Sequence, residues 1–152
     1  MHELAWFNNE RYFLKDVPFQ TKMNIAGSIL LHTILFFLSY AISGFFSSSY
    51  SKLNHQKKVH WCTRVVSNIH AIISFCLASY ALYTYECNSN LDMTCFDYEI
   101  GYYALQYTIG YFTYDLVLVL LYFKEVGSIG MVMHHLFGII GKFRNCLDLF
   151  YW

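Results

Sequence analysis

The chain has 152 residues with ten Lys or Arg against ten Asp or Glu, so its formal charge is zero, and only 13% of its side chains are charged while 57% are apolar. Ordinary soluble domains carry about a quarter charged residues, and so few charges cannot clothe a water-facing surface; the zero balance removes the global attraction that nucleic acid would need. With one Pro and eight Gly the composition also excludes a disordered or linker-rich chain, leaving an integral membrane protein of the all-α class, a polytopic transmembrane helix bundle.

Residues 1–22 contain Glu3, Glu10, Arg11, Lys15 and Asp16, which interrupt the apolar core that a secretory signal peptide requires. They form a lumenal or interfacial segment, and the first hydrophobic stretch acts as its own insertion signal. That stretch, residues 24–46, has no Asp, Glu, Lys or Arg and at about 1.5 Å per residue crosses a hydrocarbon core of roughly 30 Å. Residues 65–85 are equally free of these four residue types, with Ser67, Asn68 and His70 making the first turns polar. Residues 100–123 form a third span, rich in Tyr and carrying one charge, Asp115. The fourth stretch, residues 127–140, is shorter than the usual crossing of roughly twenty residues, and crossing, re-entry and interfacial tilt are all open to it.

The connections orient the bundle, because cytoplasmic loops collect Lys and Arg. Residues 51–64 hold Lys52, Lys57, Lys58 and Arg64 with no acid, whereas residues 86–99 hold Glu86, Asp92, Asp97 and Glu99 with no base. The first loop is expected in the cytosol and the second on the lumenal side, where Cys87 and Cys95 are free either to pair or to remain thiols.

Ionisable groups inside a span are costly and point to function or to a buried partner. Arg64, Ser67 and His70 recur every three residues and share one broad helix face. Tyr111 and Asp115 are four apart, with Arg64 or His70 of the preceding span as the available partners for the carboxylate. A structural pair and a catalytic acid or base are both open at Asp115. His134 and His135 are adjacent, so they point about 100° apart, and the chain has no zinc-type Cys/His spacing; no metal and no cofactor are expected.

In order, the chain presents a basic loop, W-x-x-R-V-V-S-x-x-H (Trp61, Arg64, Val65, Val66, Ser67, His70), G-Y-x-x-x-D-L (Gly110, Tyr111, Asp115, Leu116) and M-H-H (Met133, His134, His135). Over residues 52–135 this resembles the TLC domain family, shared by translocation-associated membrane proteins, ceramide synthases and a neuronal ceroid lipofuscinosis protein. The resemblance implies a bundle of five or more helices around a lipid-accessible cavity in the endoplasmic reticulum membrane. Residues 23–141 would then be a partial TLC domain and residues 142–152 an atypical tail, so the chain is expected to be a C-terminally shortened variant, with a second copy or a partner helix covering the incomplete bundle.

The resemblance also implies a role in lipid homeostasis, with membrane lipids rather than nucleic acid as partners. Arg64, Ser67, His70, Tyr111, Asp115, His134 and His135 would form the polar lipid-binding cavity. In ceramide synthases a His pair and downstream Asp residues serve acyl transfer from acyl-coenzyme A to a sphingoid base. His134 and His135 match that pair, which with Asp115 makes them the catalytic candidates of an alternative acyltransferase reading, but the downstream acids lack counterparts here. A membrane cargo receptor is a third reading that the family allows.

Overall fold

The computed structural model describes residues 18–83 and 98–148. Among these, all regular structure is helical: α1 (Phe19–Phe46), α2 (Ser48–Ser51), α3 (His55–Tyr83), α4 (Tyr98–Leu121), α5 (Phe123–Val126) and α6 (Ile129–Asp148). Three helices, α1, α3 and α4, are long and apolar enough to cross a membrane, as the charge-free stretches predict. Cys87 and Cys95, for which pairing and free thiols are both open, and residues 1–17 of the N-terminal segment lie outside the described residues.

Local chemistry sets the helix ends. Ser47 leaves α1 in an extended conformation, and its hydroxyl accepts the Tyr50 amide at 3.3 Å to start α2. The Asn54 carboxamide oxygen accepts the Lys57 amide at 3.0 Å, so α3 begins ten residues before the apolar stretch does. Its polar first turns are helical because a capped helix can project beyond the hydrocarbon. Ser128 caps α6 in the same way, accepting the Met131 amide at 3.2 Å. This last helix runs on through Lys142 and Arg144 to a length of 20 residues; charge bars a segment from lipid, not from being helical.

Helix α4 is the centre of the bundle, packing against α1, α3 and α6. Down α6, His135 meets Asp115, whereas Gly138 and Lys142 both meet Phe112. Rising numbers on one helix face falling numbers on the other, so α4 and α6 are antiparallel neighbours. The burial pattern of α1 is inverted relative to a soluble helix. Thr21, Ser28, His32, Ser39 and Ser43 are buried, while Phe37, Phe45 and Phe46 stand outside. Lipid tails solvate the aromatic exterior, and small or polar side chains let backbones approach and bond across helices.

Such bonds run along the α1–α4 seam: Thr21 with the Tyr102 hydroxyl at 2.6 Å, Nδ2 of Asn24 to Oε1 of Gln106 at 2.7 Å, and the Ser28 hydroxyl to the Tyr107 backbone carbonyl at 2.7 Å. Gly110 makes the seam possible. A Cβ there would lie 2.8 Å from the Ile25 carbonyl oxygen and inside the Ser28 side chain. On the basic-loop side the core continues through Phe36, Tyr50, Cys62, Tyr114 and Leu118. Trp61 ties α3 to α1 by donating to the Ser43 hydroxyl at 3.2 Å, and the buried Tyr50 donates to the Tyr40 carbonyl at 3.1 Å. Burial, with the Cys62 thiol beside it, pushes the Tyr50 phenol above its usual range.

Candidate functional site

Asp115 does not pair with Arg64 or His70, the partners expected on α3. Its Oδ2 lies 2.6 Å from Nε2 of His135 on α6, with both side chains largely buried. The register of the bundle explains the difference. His70 meets α4 one turn earlier, stacking flat on Tyr111 with ring centroids 3.7 Å apart and planes 10° from parallel. Asp115 sits where α4 faces α6.

The protonation of the pair follows from its second contact. Nδ1 of His135 is 2.7 Å from the Met131 carbonyl oxygen, and since a carbonyl only accepts, that nitrogen carries a proton. The Nε2–Oδ2 contact then holds one further proton, on nitrogen as an imidazolium facing a carboxylate or on oxygen as an acid facing a neutral ring. Either way the pair as a whole is neutral, which suits a low-dielectric setting where a lone charge is expensive.

His134 plays no part in this contact. It is exposed where His135 is buried, as the 100° between neighbouring helix positions leads one to expect, and its ring is edge-on to Phe112 at 6.0 Å and perpendicular to His135. Among the described residues no group of three or more His, Cys, Asp or Glu could hold a metal ion.

Of the residues expected to line one polar cavity, Arg64, Ser67, Tyr111 and Asp115 do so, whereas His70, His134 and His135 are not part of its lining. Arg64 and Ser67 line a cavity of about 220 Å³ together with His60 and Thr63 of α3. Its other walls are Tyr111, Asp115 and Val119 of α4 and Met131 of α6. Ser67 hydrogen-bonds the Tyr111 phenol. No carboxylate among the described residues pairs with Arg64. His70 sits deeper, its Nε2 3.2 Å from the Ser74 hydroxyl.

Behind Tyr111 lies a residue the motif spacing overlooked. His32 of α1 is fully buried, with the rings of His70, Tyr107, Tyr111 and Tyr114 all between 5.1 and 5.8 Å from its own. Its Nδ1 donates to the Ser28 carbonyl at 2.7 Å, the same tautomer-setting bond that His135 makes. Its Nε2 has no partner among the described residues, and neither have Nδ1 of His70 and the hydroxyls of Tyr107 and Tyr114. The signal was available, because His32 is the one histidine in residues 24–46, which hold no Asp, Glu, Lys or Arg, and an ionisable group inside a span is a pointer in its own right.

Comparison with known proteins bears on these residues together. Residues 60–142 match the family model of the TLC domain. The chain is 36% identical over 128 residues to an uncharacterized TLC domain-containing protein of Schizosaccharomyces pombe, covering 82% of this chain and 42% of that protein. It is 34% identical over 107 residues to TLC domain-containing protein 4-B of Xenopus laevis (70% and 39%) and 26% identical over 102 residues to TLC domain-containing protein 4 of Homo sapiens (67% and 38%). The chain thus spans about two fifths of the length of these curated relatives. No solved structure matches it.

Proposed function

Because this chain belongs to the TLC domain family and is a multi-pass membrane protein, we propose that it serves lipid homeostasis in the endoplasmic reticulum membrane, binding the polar part of a lipid within its helix bundle. The observation that carries this reading is the cavity itself. Three helices whose outer faces suit lipid turn Arg64, Thr63, Ser67, Tyr111 and Asp115 toward one space, beside the apolar Val119 and Met131. Polar groups inside a bundle are retained where they bind something or one another, and the mixed lining matches the two-part chemistry of a lipid at the membrane boundary. The endoplasmic reticulum is the location expected from the family resemblance.

The test is purification of the chain in mild detergent, followed by extraction and mass spectrometry of what accompanies it. A lipid retained in near-stoichiometric amount by the unaltered chain and by Ile72→Trp, on the exposed face of α3, but lost from Ser67→Trp, which fills the cavity, is the expected result. Equal lipid content in all three would mean that the cavity holds none of it.

A second reading, acyl transfer resembling that of ceramide synthases, is favoured by one contact, the Asp115–His135 pair. Both ring nitrogens of His135 are engaged, so the ring orients Asp115, whose carboxyl lines the cavity and is the group placed to take a proton from an acceptor amine. Purified protein supplied with an acyl-coenzyme A and a sphingoid base should then form amide, and His135→Ala should abolish it at unchanged protein level; no product from the unaltered chain would leave binding as the function.

A further inference from the structure

We propose that the cavity recognises a phosphate-bearing, anionic lipid head group, with the phosphate seated on Arg64, an inference that rests on the lipid-binding function above. The first support is charge. Asp115 is engaged by His135 in a pair that is neutral overall, so it offers no counter-charge to the cavity. Arg64 is left as the uncompensated charge of the lining, without a carboxylate partner among the described residues.

The approach has the same polarity. Lys57, His60 and Arg64 recur at spacings of three and four along the first three turns of α3, which places them in a row on one helix face. Residues 51–85 contain no acid at all. Lys58, one position beyond Lys57, is held with its ammonium 5.4 Å from the centre of the Tyr50 ring. An anionic head group arriving at the basic-loop end of α3 therefore meets cations from the helix start down to the cavity and no repulsion on that helix.

Size and geometry narrow the ligand further. About 220 Å³ is below the roughly 300–1,000 Å³ that encloses a drug-sized molecule, so the space fits a head group while the acyl chains stay along the apolar exterior. The guanidinium is a planar fork that matches two phosphate oxygens at once, which a lysine cannot do. Phosphate could come from a lipid or from a soluble phosphate compound, and the experiment separates the two.

The full chain in detergent is titrated with fluorescent phosphatidic acid, with diacylglycerol carrying the same chains and label, and with inorganic phosphate as competitor. Phosphatidic acid should bind at least about tenfold more tightly than diacylglycerol, a difference of roughly 1.4 kcal/mol. Arg64→Gln should bring phosphatidic acid down to the diacylglycerol level, and Arg64→Lys should restore part of the gap. Because Arg64 is exposed, these variants should fold, which an unchanged elution profile verifies. Equal affinity for the two lipids in the unaltered chain, or an unchanged preference in Arg64→Gln, overturns the phosphate assignment while leaving lipid binding intact. Binding of neither lipid removes the lipid function itself. Full displacement of phosphatidic acid by millimolar phosphate would assign the site to soluble phosphates instead. An arginine that only reached for bulk head groups at the bilayer surface would keep its preference in Ser67→Trp, whereas a cavity site loses it.

Discussion

Nε2 of His135 lies 2.6 Å from Oδ2 of Asp115, joining the central helix to α6 one turn from the Tyr111 phenol. Removing one member of a buried pair leaves the other uncompensated and costs about 3–5 kcal/mol, whereas replacing both with apolar groups of similar volume is often neutral. Asp115→Leu should therefore lower the unfolding midpoint of the purified protein sharply, and Asp115→Leu with His135→Leu should recover most of the loss. A double variant as unstable as the single would mean that the pair does not hold α6 in place.

Gly110 lets α1 approach α4 closely, at Ile25 and Ser28. Gly110→Ala places a methyl group 2.8 Å from the Ile25 carbonyl oxygen and within the Ser28 side chain. Overpacking of this kind costs about 1–3 kcal/mol. Adding Ser28→Gly should restore part of the stability and not all of it, because the Ile25 carbonyl belongs to the backbone. Thermal unfolding of the three variants checks the order; full rescue would show that only the side chain stands in the way.

At His32, ring packing and hydrogen bonding can be separated. His32→Ala removes a ring that four others surround and should cost about 2–4 kcal/mol, as emptied core positions do. His32→Phe keeps a ring and deletes the buried Nε2, which has no partner among the described residues, so it should stay close to the unaltered chain in melting temperature. If His32→Phe melts as early as His32→Ala, the imidazole nitrogens are what the bundle needs.

The charge contrast between the two loops predicts the orientation. In a cysteine-free background, Lys52→Cys should react with a membrane-impermeant maleimide once the plasma membrane alone is permeabilised, since cytoplasmic loops collect Lys and Arg. Labelling that appears only after internal membranes are opened would invert the topology.

Much of this was legible in the residues. Three charge-free or nearly charge-free stretches became α1, α3 and α4, because the cost of charge in lipid is paid residue by residue and needs no knowledge of neighbours. The divergence of His134 and His135, and the shared face of Arg64 and Ser67, follow from the 100° step of a helix and survive in the structure unchanged. The start of α3 did not follow from hydropathy, since its first turns are polar; the cap at Asn54 decides it.

By itself, then, the sequence determined the membrane character, the helices and the set of polar residues worth following, all of them properties of composition and of a period internal to one helix. Only the tertiary structure decided that Asp115 answers to His135 rather than to Arg64 or His70, that Arg64 has no carboxylate partner among the described residues, that Gly110 is needed by Ser28, and that His32 lies at the middle of a ring cluster. Each of these depends on the rotation and vertical register of one helix against another. A shift of one turn, about 5.4 Å, would have changed every partner without altering a single local pattern.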